Sequence, residues 1–319
     1  MSMTTFGSLG EPGSLSLRID GHCDTITALK NGKASHIDLD AMEYYVDAQF
    51  FALYIKEESA TAEAVRENMS YYRYYRDILL KNKKIVPILK GSDLKDLKPG
   101  QVGSILAIEN AEALAVSGDA LYEFIDMGYR SFGITWSNEN SFAGGANTEV
   151  GLKDLGRDLL RAMNDQPVVV DLAHMSRQSF FDSLEVLEKA PVVTHSCCYG
   201  LCKHCRNLED DALISLASVG GIMGITFVRR FLQEDDLATI DRIVDHIIYA
   251  ADIMGIDKVA IGSDFDGADL PVDMDSQRDM DKLWQQMAQR DFMPEEIAAV
   301  RGGNWQRFLS EALGDNNEI

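Results

Sequence analysis

Proline is scarce in this chain, 7 in 319 residues, and no tract rich in Pro, Gly or Ser interrupts it. That argues against modules strung on linkers and against low-complexity disorder. No apolar run approaches the roughly 18 to 20 residues that span a bilayer. Positive charge is also short: 30 Lys and Arg against 51 Asp and Glu leave a net charge of −21. Such a surface excludes nucleic acid and anionic membranes as expected partners. Residues 1–12 carry neither the basic n-region nor the apolar h-region of a secretory signal, and the polar end 314–319 is unsuited to lipid anchoring. A cytoplasmic location is therefore expected. No Gly-x-Gly-x-x-Gly follows the first apolar run and no P-loop string occurs, which weakens a nucleotide-binding open sheet.

Cysteines number five, an odd count: Cys23, then Cys197, Cys198, Cys202 and Cys205 in HSCCYGLCKHC. In a reducing compartment they read as thiols. A structural zinc including His204 is the less favoured reading, because such sites use two separated Cys/His pairs and here there is one congested run.

What is present is 46% hydrophobic residues arranged as an alternation. Short β-rich runs fall at 15–22, 48–55, 102–109, 129–135, 167–174, 191–195, 221–226 and 258–264. A ninth, 85–89, reads as an insertion. Helical patterns fall at 61–81, 119–127, 152–163, 176–188, 210–218, 237–254 and 274–290, with a last one at 294–312 broken at Gly302-Gly303. Ser176 and Asp210 occupy expected N-cap positions. Eight strands alternating with helices predict an α/β fold, a (β/α)8 TIM-type barrel over 1–319 as a single catalytic domain; a doubly wound sheet is the alternative.

In such a barrel the C-terminal strand ends carry the chemistry. They hold His22 and Asp24, Glu109, His174, His195 and Asp264. The His-x-Asp spacing puts an imidazole and a carboxylate on one strand face. Three imidazoles and three carboxylates suffice for two divalent metals sharing a bridging carboxylate, with one carboxylate left as a base. A lone strand-end His is more often structural, but five of eight ends bearing such groups by accident is a poor explanation. His246 reads as an ordinary surface or partly buried helix residue. Asp171 points to the same mouth or supports it from behind.

The strings DGHCDT (20–25), AIENAEAL (107–114), GITWSNEN (133–140), DLAHMS (171–176), APVVTHS (190–196), CRNLEDDAL (205–213), GGIMGITF (220–227), IGSDFDG (261–267) and GGNWQRF (302–308) run in order across nearly the whole chain. On these the sequence resembles the renal (membrane) dipeptidase family of metallopeptidases, within the amidohydrolase-like barrels. The resemblance implies hydrolysis of short dipeptides, some with a C-terminal D-residue, by two zinc ions per chain. It implies His22 and Asp24 on the first metal, Glu109 bridging, and His174 and His195 on the second. Asp264 takes the place of the catalytic acidic residue, and Arg206 that of the clamp on the substrate's terminal carboxylate; on spacing alone Arg206 could equally be a surface salt-bridge partner of the acidic run 209–211. Asp266 is a second acidic candidate, for substrate or for ordering its loop. A homodimer is the expected assembly.

The chain departs from the family twice. Trp136 stands where many relatives have a histidine contacting the reacting carbonyl; an indole N–H donates a hydrogen bond but cannot transfer a proton. Glu109-Asn110 replaces the usual Glu-Gly. The alternatives are another amidohydrolase-type hydrolase or deaminase acting on a small amide or N-acyl substrate, and a non-catalytic binding protein on the same fold.

Overall fold

The computed structural model describes residues 16–56 and 59–315. Residue 15 of the first expected strand, and the segments read for a signal and an anchor, fall outside them wholly or in large part. The strands are β1 (Ile19–Cys23), β2 (Ala48–Tyr54), β3 (Ile85–Pro87), β4 (Val102–Glu109), β5 (Tyr129–Gly133), β6 (Val169–Asp171), β7 (Val192–Ser196), β8 (Ile222–Ile225) and β9 (Val259–Ile261). All pair in parallel, in the order β1-β2-β4-β5-β6-β7-β8-β9, with β3 hanging off the lower half of β4. Eight strands thus form a nearly closed barrel, and the ninth is the expected insertion.

The last gap, between β9 and β1, closes without a regular ladder. The backbone N–H of Asp24 donates to Phe265 O (2.8 Å) and that of Asp264 to His22 O (3.1 Å). The buried Asp20 carboxylate ties three strands together, accepting from Ser263 N (2.7 Å), Ser263 Oγ (2.6 Å) and Gln49 Nε2 (2.9 Å). Sequence reasoning gave Asp20 no role, since a carboxylate inside a strand pattern has no local signal.

Alternation along the strands sorts their apolar residues into two clusters. Ile19, Phe50, Ile105, Val169, Val192 and Ile222 gather with Trp305, Phe308 and Leu309 of the last helix, Asn304–Leu313, which plugs the N-terminal end of the barrel. Phe51, Leu53, Phe132 and Val170 face the other way, under helix residues such as Leu160, Leu213 and Ile243. The indole N–H of Trp305 donates to Ile261 O (2.8 Å). Residue 21 must be glycine there, because a Cβ would lie 2.5 Å from a Trp305 ring carbon.

Helices fall within the spans that the apolar periodicity marks, but several ends differ. The expected 274–290 helix runs only over Met280–Gln289, after a 3-10 turn at Gln277–Asp279, and 237–254 starts at Ile240. The expected 61–81 helix becomes Thr61–Tyr74 followed by a π-helical turn, Tyr75–Leu79. Ser176 caps Arg177–Val186 as expected, its Oγ accepting from Ser179 N (3.0 Å). Asp210 does not cap; it is the first helical residue of Asp210–Ser218, and its carboxylate accepts from Tyr249 OH (2.9 Å). Among the described residues no helix is long and apolar enough to cross a membrane.

Trp305→Ala is expected to cost about 3–5 kcal/mol of stability by urea denaturation. A loss of about 0.5 kcal/mol, the scale of a surface change, would contradict the plug.

Candidate metal centre

Two β-bulges aim imidazoles into the C-terminal mouth. On β1, Asp20 pairs with Gln49 and Cys23 with Phe51, so three steps match two and one extra residue is accommodated around His22. On β7, Val193 pairs with Met223 and Ser196 with Ile225, which does the same around His195. A bulge of this kind redirects a side chain without ending the strand. Glu109 ends β4 as expected.

Three residues lie beyond the strand ends where the sequence placed them. Asp24 follows β1 at the N-cap position of the helix Thr25–Lys30. His174 and Asp264 sit three residues past β6 and β9, with φ of +68° and +63°. Both strands pair for only three residues, after which side chains turn the backbone: Asp171 Oδ1 accepts from Ala173 N (2.9 Å), and Ser263 Oγ from Phe265 N (3.1 Å). Left-handed backbone at residues with a Cβ stores strain and concentrates at functional sites. Asn110 shares it (φ +70°), which explains how asparagine substitutes for the family's glycine after Glu109.

The six candidate residues converge. His22 Nε2 lies 3.8 Å from Asp24 Oδ2, 3.7 Å from Glu109 Oε2 and 4.0 Å from Asp264 Oδ1. On the other side of the same carboxylate, Glu109 Oε1 lies 2.9 Å from His174 Nε2 and 3.7 Å from His195 Nε2. The two Nε2 atoms of His174 and His195 point at each other across 2.8 Å.

Behind His195 a relay fixes the tautomer. Thr194 Oγ1 donates to Asp171 Oδ2 (2.5 Å), so it accepts from His195 Nδ1 (2.9 Å). The proton therefore sits on Nδ1 and the Nε2 lone pair faces the cluster, the arrangement common behind metal-ligating histidines. Thr194 was missed from sequence; of the two readings of Asp171, at the mouth or behind it, these bonds favour the support.

Burial and charge act against one another here. Burial would lower the His22 pKa, but Glu109, Asp24 and Asp264 raise it to about 10. Burial, with Asp24 beside it, pushes Glu109 well above the usual carboxylate range. Asp264 is pushed up to about 7 by burial and Asp24, against the pull of His22 and Arg206. His174 and His195 are pushed well down by burial and by neighbouring positive charge. Among the described residues His22 Nε2, Asp24 Oδ1 and Glu109 Oε2 are buried without a hydrogen-bond partner. Orphaned nitrogens and oxygens of this kind, aimed at one another, fit divalent cations.

Arg206 is buried beside the cluster, not at the surface. Its Nη2 donates to His195 O (3.2 Å), and its Nε has no partner among the described residues. Trp136 stacks on the His174 ring, centroids 5.6 Å apart at 26°. Asp266 has a fully covered side chain, whose oxygens accept from Thr25 Oγ1 (2.6 Å), Ser35 Oγ (2.6 Å) and His36 N (2.5 Å). These contacts favour the loop-ordering alternative over substrate contact. Cys197, Cys198 and Cys202 are buried free thiols that donate to carbonyls of Thr226, His246 and Arg230. His246 is not at the surface: it is wholly buried, accepting from Cys198 N (3.0 Å) and bonded to Leu232 O (3.0 Å).

Residues 15–318 match the family model described as membrane dipeptidase, peptidase family M19. The chain belongs to the membrane dipeptidase family. Its members are metal-dependent hydrolases of dipeptides. Among curated relatives, an uncharacterized protein in the pqqA 5′ region of Klebsiella pneumoniae is 32% identical over 69% of this chain and 86% of its own length. The dipeptidase tcpJ of Claviceps purpurea is 28% identical over 87% of this chain and 69% of its own. The fold is that of a Rhodobacter sphaeroides metallopeptidase liganded with a phosphinate mimic of L-Ala-D-Ala, with TM-score 0.88, 23% identity, and coverage of 94% of this chain and all of that one. A second solved M19 metallopeptidase, dipeptidase AC, gives TM-score 0.89 at 24% identity, over 95% of this chain and all of that one.

A carboxyl whose folded pKa is raised favours the folded state at low pH and loses that advantage as pH climbs through the raised value. In chelator, Asp264→Asn should therefore gain stability relative to the native protein as pH rises from 3.8 towards about 7. A pH-independent difference in urea midpoints would contradict the buried, crowded environment of Asp264.

Proposed function

We propose that this protein hydrolyses dipeptides with His22 and Asp24 holding one divalent cation, His174 and His195 a second, and Glu109 both. Zinc is the proposed ion, since imidazole and carboxylate donors suit it. The observation that carries the reading is the division of Glu109, Oε2 towards His22 at 3.7 Å and Oε1 towards His174 at 2.9 Å. Bound ions of this kind supply a water that ionises near neutral pH and a polarised carbonyl.

The chain's own residues supply the rest. Asp264, with its pKa near neutrality in the absence of bound ions, takes the proton of the attacking water and returns it to the departing amine. Arg206 presents its guanidinium beside the cluster, and a planar fork pairs bidentately with a terminal carboxylate in a way Lys cannot. A dipeptide carries its terminal carboxylate one residue beyond the scissile bond, where such a fork would hold it, and a longer peptide does not, which restricts the substrate to dipeptides. A C-terminal D-residue falls within this reading, supported by the L-Ala-D-Ala mimic bound to the Rhodobacter protein. A cytoplasmic location is part of it too, supported by the five free thiols. The deaminase and binding-protein alternatives give way to the family assignment.

His195→Ala is expected to lose one cation per chain, by elemental analysis, and all activity; native cation content in this variant would contradict the ligand set. Arg206→Ala should keep both cations, raise KM, and lower kcat/KM on the order of 10²-fold. An unchanged KM on L-Ala-D-Ala would rule out the clamp. Asp264→Asn should keep both cations and lower kcat by about 10²–10⁴; activity close to native would remove Asp264 from the proton path.

A further inference from the structure

The two histidines assigned to one cation are held by different means. The second nitrogen of His195 is fixed by Thr194 and, through it, Asp171. The second nitrogen of His174 is buried and has no hydrogen-bond partner among the described residues. Its backbone is in the left-handed region, where no strand ladder directs the ring. Something else must keep that imidazole from rotating about its side-chain bonds.

The loop after β5 supplies it. Trp136 lies on the His174 ring at 5.6 Å and 26°, and Tyr54 lies against the indole at 5.1 Å. The same loop grips the His174 backbone: Ala146 N donates to His174 O (2.7 Å), and Ser176 N donates to Gly144 O (2.9 Å). It folds back on itself so closely that a Cβ on residue 145 would lie 2.1 Å from Trp136 O. Its base is pinned by Asn140 Nδ2, which donates to Ile134 O (2.7 Å) and to Asn110 Oδ1 (2.9 Å), directly after Glu109. Ser141 adds two bonds to the buried Glu112 carboxylate.

We propose that Trp136 is a positioning residue for the His174–His195 cation, its indole face clamping the His174 imidazole in place of a hydrogen bond on Nδ1. The inference rests on the two-cation reading above. An imidazole that gives its lone pair to a cation becomes electron-poor, and an electron-rich indole face attracts it more strongly. Loss of a partner behind a ligating histidine weakens metal affinity by about 10–100-fold. Trp136 then has a role on the ligand side that is separate from any hydrogen bond its indole N–H gives the substrate.

The test titrates chelator-stripped protein with Co²⁺, by calorimetry and by the visible absorption of the bound ion, in the native chain, Trp136→Phe and Trp136→Leu. Phenylalanine keeps a stacking face and leucine keeps only bulk. The native protein and Trp136→Phe should bind two Co²⁺ with similar affinities. Trp136→Leu should hold one of the two about 10–100-fold more weakly, with an altered visible spectrum for that ion. Circular dichroism and Tm show whether each variant is folded; if Trp136→Leu is not, Tyr54→Leu, which removes the backing of the indole, takes its place with the same expectation. Native affinity for both ions in the leucine variant, or equal weakening in leucine and phenylalanine, overturns the clamp. Fewer than two Co²⁺ bound by the native chain overturns the two-cation reading itself.

Discussion

Asp24, Glu109 and Asp264 surround the one His22 imidazole, at 3.8, 3.7 and 4.0 Å, with His22 and Glu109 buried and the two aspartates partly open to solvent. Two like charges about 4 Å apart repel by about 4 kcal/mol at the effective dielectric of a protein. One imidazolium and one guanidinium, Arg206, do not balance three carboxylates, and their response is visible in the raised pKa values of Glu109 and Asp264. Positive charge of higher density resolves the conflict. Two divalent ions, one on each side of Glu109, would restore the carboxylates to their ionised form and give the orphaned Nε2 and oxygen atoms their partners.

The rest of the chain is arranged around that requirement. The parallel strands bring residues more than 200 positions apart to one rim. Bulges at His22 and His195, and left-handed turns at His174 and Asp264, then set how those side chains meet at the mouth. Strain of this kind persists only if the surroundings over-determine it. Asp20 does so across the closing gap, Asp266 across the loop that follows Asp24, and the Asp171–Thr194 pair behind His195. At the far end, Trp305 and its helix fill the barrel with apolar bulk, so the polar mouth rests on a dry base.

Much of this was readable from the chain alone. The alternation of β-rich and amphipathic runs carries the barrel, because both periodicities follow from burying one face. The strand-end positions of His22, Glu109 and His195 carry most of the candidate centre. What was not readable involves contacts without local pattern. Asp20 looks like a strand carboxylate out of place until Ser263 and Gln49 are beside it. Thr194 looks like a β-branched strand residue until its hydroxyl is seen between Asp171 and His195. His246 lies on a face whose burial depends on the loop after β7. The left-handed turns shift His174 and Asp264 off the strands, since a pairing length of three residues is decided by side chains that catch the backbone. Trp136 was legible as a departure from the family, but not its place on the His174 ring.

Anomalous X-ray diffraction from crystals of the zinc-loaded protein measures the central claim most directly. The account predicts two peaks per chain, each about 2.0–2.2 Å from a different Glu109 oxygen, one beside His22 and Asp24 and the other beside His174 and His195. A single peak, or two that leave either Glu109 oxygen without an ion, would contradict it.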